Sequence, residues 1–214
     1  MKIAAGGGFA LGAGGMAPAS VLKALIAACA ALILSAAPSA AVTNEIRDDI
    51  YKTHRSERRA ASDETVLLVT GVIGPGAHRQ FQAALWQAQP KLVVLDGPGG
   101  ILGEAILIAE EVRRRGLSTL VSRNRSCASA CAIVFLSGRT KYMGVGASIG
   151  LHSASYADGR ADPEATELMA AYLSGLGVPD GTLRRMARTA PSDIRWLTQA
   201  EQRAVGIRPY EDGR

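Results

Sequence analysis

The chain has 214 residues, 48% hydrophobic and 20% charged, with a formal net charge of +5. That length and apolar content suffice for one well-packed core, so a single domain is the default. The basic clusters Arg58-Arg59, Arg113-Arg114-Arg115 and Arg184-Arg185 have no interleaved aromatics, which argues for solvated faces and against a nucleic-acid stripe.

Residues 1–41 hold no Asp or Glu and carry only Lys2 and Lys23 as charges. The apolar run Ala24–Ala37 after Lys23 has the form of a signal-peptide core, and Ser39-Ala40-Ala41 offers the small-x-small pattern of a cleavage site. Export, with cleavage near Ala41, is the expectation, which places the mature chain in the periplasm. The competing reading is an uncleaved inner-membrane anchor facing that compartment, since Ala24–Val42 approaches the roughly 20 residues that span a bilayer. Ile26-Ala27-Ala28-Cys29 resembles a lipoprotein box, but apolar sequence continues past Cys29. Removing residues 1–41 takes away two lysines and no acid, leaving 22 basic against 19 acidic residues, a formal +3.

Residues 42–65 are charged and poor in large apolar side chains, as in a linker, and residues 66–214 form the expected folded domain. Val66–Thr70 is a β-rich run closed by Gly71, with a turn at Gly74-Pro75-Gly76. Phe81, Ala84, Leu85 and Ala88 recur at helical spacing before Pro90. Leu92–Leu95 is apolar throughout, like a strand covered on both faces. A helix over 103–115, closed by Gly116, and a strand over 118–122 follow. This alternation predicts an α/β layered fold with largely parallel strands.

Loops at the carboxyl ends of such strands gather ligand-binding groups. Asp96-Gly97-Pro98-Gly99-Gly100 reads as one of these turns, with backbone N–H groups free to meet an anion. Ser126–Cys131 reads as a second, placing Ser129 at the start of the apolar helical stretch Ala132–Leu136. A serine there is ordinarily an N-cap; with small neighbours it also fits a sharp strand-to-helix turn bearing a nucleophile. Of the three histidines, His54 lies in the linker and His78 at a helix entry. His152 ends the predicted strand Ala147–His152, where a base is wanted.

Cys127 and Cys131 flank Ser129 and form an even pair once Cys29 is removed. Two readings stand: small buried residues, or a disulfide or redox-sensitive pair. Their spacing does not decide between them. Glu164–Leu176 has helical periodicity through Ala165, Leu168, Met169, Tyr172 and Leu176, a stripe that fits core or interface better than a pocket.

Taken in order, Asp96–Gly100, Cys127–Cys131 and Gly150-Leu151-His152 resemble the signature of Clp-protease proteolytic subunits, from about Val66 to Ile207. That resemblance implies a ClpP/crotonase-like fold of repeated ββα units, with a largely parallel sheet flanked by helices. It implies a serine peptidase with Ser129 as nucleophile, His152 as general base, and an oxyanion hole at Gly99, Gly100 and Ala130. The third catalytic member is implied just before Leu197–Glu201, which gives Asp193, with Asp158, Asp162 and Asp180 as alternatives. Peptide or protein substrates and a homo-oligomer are implied too, with neither cofactor nor metal. The export signal and Gly97, in place of the family's usual serine, depart from the cytosolic enzymes, so no ATPase partner is expected. Competing readings are an inactive exported binding module, an acyl-CoA crotonase, and a lysine base at Lys141.

Overall fold

The structure is a computed structural model that describes residues 65–210. The expected signal or anchor over 1–41, Cys29 and nearly all of the 42–65 linker lie outside the described residues.

The strands are β1 (Val66–Ile73), β2 (Leu92–Gly100), β3 (Ser118–Val121), β4 (Ser126–Ala128), β5 (Lys141–Gly144), β6 (Ser148–Leu151), β7 (Arg195–Trp196) and β8 (Ile207–Tyr210). The helices are α1 (Ala77–Ala88), α2 (Leu102–Arg114), α3 (Ala130–Leu136), α4 (Pro163–Gly175), α5 (Asp180–Arg188) and α6 (Gln199–Ala204). The sheet runs β7-β6-β4-β2-β3-β5-β8, with β1 also on β2. Every pairing is parallel except β6 with β7.

The architecture turns on β2. Its first half, Leu92–Val94, pairs with β3, and its second half, at Gly97, pairs with β4. β3 and β5 therefore extend one arm of the sheet while β4 and β6 extend the other. From β3 to β6 consecutive strands alternate between the arms, and a helix follows each of the pairs β3–β4 and β5–β6, so the ββα unit occurs twice in a curled, helix-flanked sheet, whereas β1 and β2 are each followed by a helix of their own.

Two expectations fail at glycines. β1 runs on to Ile73, with a bulge where the register shifts between Thr70 and Val72 around Gly71 at φ 81°. Asp96–Gly100 is strand, with Val72 paired to Gly99 and Ile73 to Gly100. Cβ atoms at Gly97 and Gly100 would sit 2.3 Å from Gly71 O and Ile73 O respectively. The glycines are there because two backbones approach closely, and in sequence that requirement looks the same as a turn. Ser126–Ala128, expected as loop, is likewise strand.

The core lies between the sheet and α1–α3. Leu85, Val93, Leu95, Ile108 and Phe135 are fully buried, and all seven residues of α3 are buried. A short helix that is apolar all round has nowhere to go but the interior, so its first turn, beside Ser129, is fixed in depth. On α4, Met169 and Leu173 face the core whereas Leu168 is 58% exposed.

Glu201 ties down the region that flanks β6. Its carboxylate accepts from Thr198 N and Oγ1 at 2.8 Å each in a capping box that starts α6. It also accepts from Thr182 Oγ1 at 3.1 Å and from the Arg185 guanidinium of α5. Burial alone raises a carboxyl pKa, but these donors outweigh it and hold Glu201 down at about 2, against an ordinary 4.5. A depressed pKa contributes stability that is present above pH 4.5 and is lost as pH falls towards 2. The shift corresponds to on the order of 3 kcal/mol. Urea titrations at about pH 6 and pH 3 are expected to show the larger part of this loss, about 2 kcal/mol, in the native chain, since pH 3 still lies above the folded pKa. Glu201→Gln is expected to lower stability at pH 6 by a similar amount and to flatten the acid dependence.

Candidate active site

The registers align three strand ends. Gly97 lies opposite Cys127, and Ala128 lies opposite Gly150. Gly99, Ser129 and His152 therefore gather at the carboxyl ends of adjacent parallel strands β2, β4 and β6. β4 needs only three residues to reach this edge, because it takes over beside β2 where β3 stops.

Ser129 adopts φ 55°, ψ −127°. Only Gln89 and Asn124 share a positive φ among the non-glycine described residues, and Gln89 sits in the ordinary left-handed well at ψ 51°. Ser129 lies outside that well, a conformation that costs about 1–3 kcal/mol and persists only when its surroundings impose it. Its N–H donates to Gly150 O at 2.9 Å and its carbonyl accepts from Ala132 N at 2.9 Å. Although Ser129 precedes α3, its hydroxyl makes no capping bond. An N-cap serine has extended backbone and spends its oxygen on the helix; this one does neither. The half-buried hydroxyl is left for another partner.

Gly99 packs directly on this turn. At φ 102°, a Cβ there would lie 2.7 Å from Ala128 O, Ala130 N and Ser129 Cβ. Gly99 is buried and Gly100 exposed, and Gly100 has its close approach to Ile73 on β1 instead. Of the two glycines, Gly99 is therefore the one that adjoins the Ser129–Ala130 backbone. Cys127 and Cys131 are disulfide-bonded across the same turn, with Cα atoms 5.2 Å apart.

His152 follows β6 directly and is half-buried. Its Nδ1 lies 2.6 Å from the Ser153 carbonyl. A carbonyl only accepts, so Nδ1 carries a proton, and in the neutral ring this leaves the lone pair on Nε2, the tautomer a base requires. Among the described residues no hydrogen bond joins the Ser129 hydroxyl to His152, or Asp193 to His152. Unliganded catalytic hydrogen bonds are often long and tighten on substrate.

Asp193 is exposed on the turn entering β7, its N–H bonded to Ala190 O at 2.9 Å. Antiparallel β7 pairs Arg195 with Leu151, so Asp193 stands at the His152 end of that ladder. The alternatives are placed differently. Asp162 caps α4 by accepting from Ala165 N at 3.0 Å, Asp158 pairs with Arg160 at 2.7 Å, and Asp180 lies in the first turn of α5. Lys141 begins β5 and pairs with Thr119 at the start of β3, at the opposite end of the sheet from Ser129. Ser153, the serine that follows His152, is buried and donates to Thr189 O at 2.8 Å, so its hydroxyl is engaged.

Sequence reasoning missed the Ser153 carbonyl as the partner of His152, because a backbone acceptor carries no residue signature. It also missed Glu201, whose Thr198-x-x-Glu201 capping box is a legible signal. Among the described residues no group of three or more His, Cys, Asp or Glu side chains is arranged to hold a metal ion.

Neither a protein-family model nor a curated protein matches the chain. Solved structures do. ClpP1 from Listeria monocytogenes, as an N-to-D point mutant, matches with TM-score 0.53 at 13% identity over 69% of this chain and 93% of that one. The ClpP protease catalytic domain from Plasmodium falciparum matches with TM-score 0.53 at 14% identity, over 69% and 85%. A mutant of the 1510-N membrane-bound stomatin-specific protease, in complex with a substrate peptide, matches with TM-score 0.51 at 19% identity, over 69% and 76%. The fold is that of ClpP. At these identities the likeness speaks for the fold, and the chemistry rests on the geometry of Ser129, Gly99 and His152.

Proposed function

We propose that this protein is a serine hydrolase that cleaves peptide bonds through an acyl-Ser129 intermediate. The observation that carries this reading is the Ser129 turn: a strained, uncapped serine packed on a buried glycine, beside the strand end that bears a histidine whose Nδ1 meets a carbonyl. Ser129 Oγ attacks the substrate carbonyl carbon as its proton passes to His152 Nε2. The oxyanion accepts from the N–H groups of Gly99 and Ala130, with Gly100 shaping the same strand end. The imidazolium then protonates the leaving amine. A water activated by His152 attacks the acyl carbon next and frees Ser129.

In this reading Asp193 swings to the imidazole only when substrate closes the site, and the Ser153 carbonyl holds the ring until then. The stomatin-specific protease of like fold was captured with a substrate peptide, which supports a peptide as the substrate class. The chain is proposed to act in the periplasm, as a homo-oligomer and without an ATPase partner.

A fluorophosphonate probe is expected to label the purified protein, with the adduct mapping by peptide mass spectrometry to the segment holding Ser129. His152→Ala is expected to slow that labelling at least about a thousandfold with little change in the melting curve. An adduct on another residue would remove Ser129 from its role. The unjoined Ser129, His152 and Asp193 side chains favour one second reading, a binding module that keeps the scaffold without the chemistry. It expects no adduct at all.

A further inference from the structure

Cys127 and Cys131 stand two residues before and two residues after Ser129, and they are bonded to each other. Cys127 is fully buried and Cys131 is 3% exposed. Between them lie only Ala128, Ser129 and Ala130, so no large side chain anchors the strained turn by packing. Two backbone hydrogen bonds, from Ser129 N and to Ser129 O, and the backbone of Gly99 packed against it hold it otherwise. With the disulfide open, an unstrained alternative is available to this segment. Ser129 can return to extended backbone and accept at Oγ from the N–H of Cys131 or Ala132, the ordinary N-cap arrangement.

We propose that the Cys127–Cys131 disulfide is the positioning device of the nucleophile, holding Ser129 in its strained positive-φ turn and keeping its hydroxyl off the end of α3. This rests on the serine-hydrolase reading above. The bond forms when both thiols give up two electrons and two protons to a disulfide-donating oxidant, which leaves as a dithiol. Burial of both sulfurs denies a reductant access in the folded chain, so the pair is a permanent staple that commits the enzyme to an oxidising compartment. It closes a very short loop, for which the gain in global stability is smallest. Its effect is therefore on the local geometry of Ser129.

The test compares the full oxidised chain with Cys127→Ala/Cys131→Ala, reading the fluorophosphonate labelling rate, kcat and KM on p-nitrophenyl acetate, and the circular-dichroism melt. Loss of the staple is expected to lower labelling and kcat roughly ten- to a hundredfold, while KM stays within about twofold and the melt retains its cooperativity. Equal labelling and kcat in the two proteins would overturn the proposal. Should the double alanine variant fail to fold, Cys127→Val/Cys131→Ala, which restores the lost core volume, and the native sequence unfolded in urea, reduced with a phosphine and refolded under reduction are read by the same criteria. If neither keeps a folded signal, the pair holds up the whole domain and the proposal is likewise overturned. Absence of labelling in the oxidised chain itself would count against the serine-hydrolase reading, a separate outcome.

Discussion

Ser129→Ala is expected to lower turnover of an activated ester by about 10^4- to 10^6-fold, because every step of the acyl-enzyme route passes through that oxygen. Folding should scarcely notice. Alanine meets the same backbone strain at φ 55°, ψ −127° as serine does, and the hydroxyl it removes makes no capping bond. A companion variant separates the chemistry from the strain. Ser129→Gly should be equally inactive yet more stable than Ser129→Ala by about 1 kcal/mol, since glycine accepts positive φ without penalty and gives back only part of that gain through its freer unfolded chain. Equal or lower stability of Ser129→Gly in urea titrations would mean that this turn stores no strain. Activity surviving in both variants would remove Ser129 from the mechanism.

Gly99→Ala is expected to be the most damaging change that touches no reactive group. The new methyl would lie 2.7 Å from Ala128 O, Ala130 N and Ser129 Cβ, at φ 102°. Two of those three atoms are backbone and the third is fixed to it, so no flexible side chain can yield. Either β2 lifts away from β4 or the Ser129 turn shifts, and a displacement of about 1 Å at a nucleophile costs on the order of a hundredfold in rate. Overpacking plus the unfavourable φ is expected to cost about 2–4 kcal/mol of stability. Gly103→Ala is the control. Gly103 lies inside α2 with nothing within 4 Å of its Cβ position, so alanine there should leave the ester rate unchanged and add roughly 0.5–1 kcal/mol of helix stability. Similar behaviour of the two variants would show that Gly99 is not packed on the nucleophile.

Much of the scaffold could be read directly. The run Ile133–Leu136 is apolar all round and wholly buried, Leu92–Leu95 is a strand whose Val93 and Leu95 are buried while Leu92 and Val94 are half-buried, and the helical spacing over Phe81–Ala88 foretold α1. The glycine segments could not be read the same way. Gly71 and Asp96–Gly100 look like turns because residue type reports permissiveness, whereas the close approach of β1 to β2 depends on a neighbour that local sequence does not name. The stripe on α4 was legible only in part: of Ala165, Leu168, Met169, Tyr172 and Leu176 only Met169 is fully buried and Leu168 is exposed, while Leu173, outside the stripe, is the other buried apolar side chain.

The candidate site divides along the same line. By itself the sequence determined where the chemistry-bearing residues fall within their elements: a serine between small residues at a helix start, a histidine at a strand end, and two cysteines spaced evenly around the serine. Those placements follow from local periodicity and composition, which act over a few residues. Only the tertiary structure decided that β2, β4 and β6 lie side by side, that Gly99 rests against Ser129, and that the serine hydroxyl is withheld from its helix. It also decided that His152 takes a carbonyl as its partner while Asp193 stays in solvent. Each of these depends on groups far apart in the chain meeting within a few ångströms, and such meetings are fixed by strand register and close packing.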